Sequence, residues 1–117
     1  MKVLNKTKNT ILAQRAESAR TFWARLKGLI GQKNIGANEA LIIPYCCSVH
    51  MFFMRFSIDV LFLDKNYRVV GCVKNLKPFR LSPIFPKAFY AIEIPAGKIV
   101  QTRTFPGDQI ELIIDRS

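Results

Sequence analysis

Ile58-Asp-Val-Leu-Phe-Leu63, then Asp64-Lys-Asn-Tyr-Arg68, then Val69-Val-Gly-Cys-Val73, reads as two strands joined by a tight turn. Successive side chains of a strand point to opposite faces. Ile58, Val60 and Phe62 therefore share one side, and Asp59, Leu61 and Leu63 the other. Both sides are apolar apart from one carboxyl, the pattern of a central strand covered on both faces. In the polar turn, Asn66 is the residue best suited to a left-handed conformation.

Working outward, turn signals recur at intervals of roughly 8–12 residues, the rhythm of an all-β sandwich or small barrel. Val3-Leu4 and Ile11-Leu12-Ala13 predict an N-terminal edge hairpin, with lysines in its turn. Leu41-Ile42-Ile43 is a short buried strand stopped by Pro44. Phe89–Ile94 predicts a strand, Pro95-Ala-Gly97 a turn, and Ile99-Val100 the start of another strand. Pro106-Gly107-Asp108 turns the chain into a last strand over Ile110–Ile114. Leu76–Pro86 holds three prolines yet also Phe79, Leu81, Ile84 and Phe85, so it predicts a packed loop able to cover a pocket. The helical signal is Phe22, Trp23, Leu26, Leu29 and Ile30, an apolar stripe predicting an amphipathic helix over 19–30, with Ser18 as N-cap and Gly31 as stop.

The 117 residues fit a single domain over 1–117, and half of them are apolar, enough for a core. Eighteen Lys and Arg against eight Asp and Glu give a net charge of +10, which suits an anionic partner. The charge is uneven: Lys65 to Tyr90 carries six bases and no acid. Three cysteines, two of them adjacent, do not form a disulfide framework and predict reduced thiols. No apolar run is long enough for a signal peptide or a membrane span, so the expected location is the cytoplasm.

Chemistry-bearing residues gather between Cys46 and Asp64. His50 could act as a base, a metal ligand or an orienting donor. Asp59 lies among apolar neighbours, and a buried carboxylate needs a partner. His50, Arg55 or Arg80 could supply it, or Asp59 could tie loop backbone together. Such a cluster, under the Phe79 loop, would form the polar end of a pocket walled by Met54, Phe52 and Phe79. Cys47-x-x-His50 has a metal-ligand spacing, but structural zinc asks for four ligands. Cu(I) ligation by Cys47, His50, Met51 and Met54, and a thiol nucleophile built from Cys47, His50 and Asp59, are chemically permissible. Met and Cys are ordinary core fillers, however. We therefore expect no metal and no cofactor.

Six pieces form a series: Arg25-Leu-Lys-Gly-Leu29, Glu39-Ala-Leu-Ile-Ile-Pro44, Val49-His-Met-Phe-Phe-Met-Arg-Phe-Ser-Ile-Asp-Val-Leu-Phe-Leu-Asp64, Asn75-Leu-Lys-Pro-Phe-Arg80, Ile92-Glu-Ile-Pro-Ala-Gly97 and Gly107-Asp108. From about Ala16 to Ile114 the chain resembles the bacterial and archaeal family called domain of unknown function 192. The resemblance implies one mainly β, jelly-roll-like domain with one helix, and no established activity. This chain has Ser57 where the family usually has Pro, Tyr67 where Gly is common, and Phe79 where Trp is common.

The sequence thus predicts a mainly β, single-domain sandwich or barrel that binds a small ligand near His50, Asp59 and Arg80, with Met54, Arg55 and Phe79 beside them. An anion is the ligand form that best suits the charge. A basic nucleic-acid-binding module, and a hydrolase or transferase using His50 and Asp59, are the alternatives.

Overall fold

The structure, a computed structural model, describes residues 1–18, 35–49, 51 and 56–114. The helix expected over 19–30 lies outside these residues.

The fold is mainly β, with two sheets. Strands β1 (Lys2–Asn5), β2 (Thr10–Ala13), β3 (Arg15–Ser18), β4 (Glu39–Pro44), β5 (Ile58–Leu63), β6 (Val69–Leu76) and β7 (Tyr90–Pro95) precede a short helix, α1 (Lys98–Thr102), and β8 (Ile110–Ile113). One sheet has the order β2-β1-β8 and the other β3-β4-β7-β5-β6. All pairings are antiparallel except β3 with β4, where Arg15 opposes Glu39 and Ser18 opposes Ile42. β1 sits between β2 and β8, leaving β2 at the edge.

β5 is buried at all six residues and bonded on both sides, to β6 and to β7. Its alternation separates two apolar clusters. Leu61 and Leu63 join Ile92 and Ile94 of β7 and pack against Val3, Leu12 and Ile110 of the smaller sheet. Ile58, Val60 and Phe62 face the other way, with Ala91, Val49 and Met51. The larger sheet is thus covered on both faces. Burying side chains of this kind contributes roughly 1.5–3 kcal/mol each, and five of the six buried residues of β5 are apolar.

Three local expectations change. The left-handed residue of the β5–β6 turn is Tyr67 (φ 62°), not Asn66. Asp64 explains how a tyrosine is held there: its side chain accepts from the Asn66 and Arg68 N–H groups, and its carbonyl from the Tyr67 N–H. Ile99 and Val100 begin a helix rather than a strand, because a distant carboxylate described below holds the first turn. Gly97 before that helix has φ 93°, open to glycine at little cost, and Arg103 after it is also left-handed. Finally β3, which sequence periodicity did not predict, extends the larger sheet beyond β4.

Candidate functional site

Asp59 is 1% exposed. Its Oδ1 accepts from the Asn75 N–H at 2.8 Å, and its Oδ2 from the Gly97 N–H at 3.1 Å and the Ile99 N–H at 2.9 Å. All three donors are backbone groups, from the end of β6 and from the start of α1. A buried carboxylate that accepts several backbone N–H bonds has its hydrogen-bonding demand met. It also lies against the positive end of α1, whose first amides have no partner within the helix. Of the two roles open to Asp59 in the sequence, this geometry is that of the backbone tie. No side-chain bond joins it to Phe79 or Arg80.

Phe79 and Arg80 lie in the loop between β6 and β7, and both side chains are exposed. Their backbone is tied to the segment that carries His50. The Phe79 N–H donates to the Met51 carbonyl at 2.7 Å, and the Met51 N–H donates to the Arg80 carbonyl at 3.0 Å. Farther along, the Ser82 N–H reaches the Val49 carbonyl, and the Phe85 N–H the Cys47 carbonyl. The buried Ser82 hydroxyl accepts from the Val49 N–H at 2.9 Å. The two loops are therefore laced together, with Val49 and Met51 turned into the core cluster. His50, Met54 and Arg55 lie outside the described residues. Arg80 forms no ion pair among the described residues.

A second acid in an apolar run is Glu93, for which no protein hydrogen-bond donor is found among the described residues. It sits in β7 opposite Leu41 of β4 and Val60 of β5, two positions from Ala91 and so on the same face, toward Val49 and Met51. It is 6% exposed, and no hydrogen bond or ion pair to it is found among the described residues. Burial alone pushes its pKa from the ordinary 4.5 to about 7, because a low-polarity surrounding disfavours the charged form. The Cys46 thiol is close enough to feel its charge: burial raises that thiol's pKa first, and Glu93 adds to the rise. The sequence did carry a signal for Glu93, a lone acid inside the apolar run Tyr90-Ala-Ile-Glu-Ile94. It is the same signal that singled out Asp59.

Among the described residues, no three His, Cys, Asp or Glu side chains gather in a way that could hold a metal ion. Cys47 is exposed, whereas Cys46 donates to the Ser48 carbonyl. Among the described residues, clefts of about 550 and 500 Å3 run along β1, β2 and β8, one beside Tyr67 and Leu112 and the other beside Leu4 and Ile11. Neither is lined by Asp59, Phe79, Arg80 or Glu93. No helix among the described residues is long and apolar enough to cross a membrane.

The model of the DUF192 family, described as "uncharacterized ACR", matches residues 3–112. A UPF0127 protein of Thermococcus sibiricus is 37% identical over 113 residues, which cover 93% of this chain and 73% of that one. A UPF0127 protein of Pyrococcus horikoshii is also 37% identical over 113 residues, covering 93% of this chain and 96% of the relative. A crystal structure of a protein of unknown function from Novosphingobium aromaticivorans superimposes with a TM-score of 0.74 at 21% identity, over 96% of this chain and 84% of that one. At that identity the likeness is one of fold.

Proposed function

The chain belongs to the DUF192 family, and we propose that its domain binds a small ligand at the Glu93 face of the larger sheet. Glu93 would be the polar anchor, with Val49, Met51 and Cys46 around it. His50, Met54 and Arg55, which the sequence singles out, remain part of the proposed site as residues to be tested. Phe79 and Arg80 belong to the same rim through their bonds to Met51.

The observation that carries this reading is a largely buried carboxyl, 6% exposed, for which no protein donor is found among the described residues. Burying such a group without a hydrogen bond costs roughly 1–3 kcal/mol on protein scales. A ligand bearing an amine, guanidine or hydroxyl would restore that bond. A carboxyl that titrates near neutrality can meet it in either form, as acceptor or as donor. Asp59 is a poorer anchor, since backbone amides already occupy both of its oxygens.

The test compares the wild type with Glu93→Gln by native mass spectrometry as purified from cells, and by melting with butylamine and agmatine. We expect retained mass, or a rise in melting temperature with the amines, in the wild type alone, with the variant still folded. A wild type at its bare mass that ignores both amines would remove the reading.

A further inference from the structure

We propose a second, separate role for the loop between β6 and β7: it docks the protein on an anionic lipid surface. Phe79, Leu81 and Ile84 are 72%, 64% and 69% exposed. One large apolar side chain in solvent needs no explanation, but three within six residues of one loop form a feature.

The loop cannot withdraw them. Pro78, Pro83 and Pro86 fix φ at three positions. Backbone bonds from Phe79, Ser82 and Phe85 tie the loop to Met51, Val49 and Cys47. The inward positions are taken: Ser82 is buried, and the Phe85 ring stacks on Phe62 at 4.6 Å between centroids. The apolar tips are thus held outward by a backbone anchored beneath them.

Charge selects the occupant. Lys77, Arg80 and Lys87 flank the tips and are exposed, and no acid occurs in residues 65–92. Among the described residues none of the three bases forms an ion pair. Apolar side chains that enter the acyl boundary, ringed by bases at the headgroup level, are what an anionic bilayer attracts. A second copy would bring like charges together at the same contact. Nucleic acid suits the bases and Phe79, on which a base could stack, but it has no use for exposed Leu81 and Ile84.

The experiment is cosedimentation of the full chain with vesicles of phosphatidylcholine alone, and with about one third phosphatidylglycerol. We expect pelleting with the anionic vesicles only, weakening as salt rises. Leu81→Ser with Ile84→Ser should raise the lipid needed for half-binding by about tenfold or more, with melting unchanged because both side chains are exposed. Lys77→Gln with Arg80→Gln should weaken binding and flatten its salt dependence. Glu93→Gln should leave vesicle binding intact. Absence of pelleting at low salt overturns the proposal. Pelleting that the Leu81/Ile84 pair does not affect overturns it too, as does tighter binding to single-stranded DNA that survives that pair.

Discussion

Asp59 and Glu93 stand on adjacent pairs of the same two strands, Asp59 opposite Ile94 and Glu93 opposite Val60, yet they face opposite sides of the sheet. Both are buried acids in apolar runs. On the Asp59 side the chain brings three N–H groups to the carboxylate. On the Glu93 side it brings side chains such as Val49 and Met51. The lesson is that burial does not make a carboxyl a site; the supply of donors decides. A satisfied carboxylate is a joint between elements, whereas one without protein donors is what our proposal offers to a ligand.

The comparison breaks most visibly at Asp59. Replacing it with Ala leaves three N–H groups, one buried and two partly buried, without this acceptor, and we expect a loss of about 3–5 kcal/mol in urea unfolding. Hydrogen exchange should quicken at the Ile99 and Asn75 amides before it does elsewhere. Asp59→Asn, which keeps shape and one acceptor oxygen, should fall between.

Glu93 should show itself through pH. Its carboxyl holds its proton in the folded chain up to about pH 7, against an ordinary value of 4.5. Between those values the folded state binds more protons than the unfolded, so stability falls as pH rises. The loss is about 3 kcal/mol, complete above pH 7. Unfolding of Glu93→Gln across the same range should lack this component. A wild-type profile equal to the variant's would remove the contrast.

Gly71 tests how firmly the loop is seated. A methyl group there would meet the Phe85 ring, so Gly71→Ala should lower stability by about 1–3 kcal/mol by displacing it. Phe85 anchors the basic loop, and the same variant should also weaken vesicle binding.

The smallest effect lies in the thiols. Exposed Cys47 should alkylate before the other two. Burial pushes Cys72 up to about 11, so it should react only in strong base. Cys46 is raised by burial and then by the Glu93 charge. Glu93→Gln should therefore shift Cys46 alkylation to slightly lower pH and leave Cys72 where it was, measured by mass spectrometry.

The β5–β6 hairpin was legible because period-two alternation and a polar turn are local properties. β3 was not, since Arg15-Ala-Glu-Ser18 has no apolar alternation and is a strand only through its parallel partner, more than twenty positions on. Ile99 and Val100 were misread for the same reason: two β-branched residues favour a strand, and a carboxylate forty positions earlier in the chain overrides them. At the site, the alternation marked Asp59 as a buried acid in need of a partner. Nothing local could say that the partners were amides. Glu93 carried the same mark, and only the folded arrangement separates the two. The exposure of Leu81 and Ile84 was equally hidden, because a proline-rich loop with four large apolar residues reads as packed until one sees which of them point inward.

The pairing of Lys2 with Ile113 and of Asn5 with Ile110 also bears on synthesis. The smaller sheet joins segments more than a hundred positions apart in the chain. While β8 is still inside the exit tunnel, Val3 and Leu12 have no Ile110 to pack against, and one edge of β1 stays unpaired. β1 must therefore wait for more than a hundred further residues to be made before this partner exists. During that interval one edge of β1 is open to pairing with another chain.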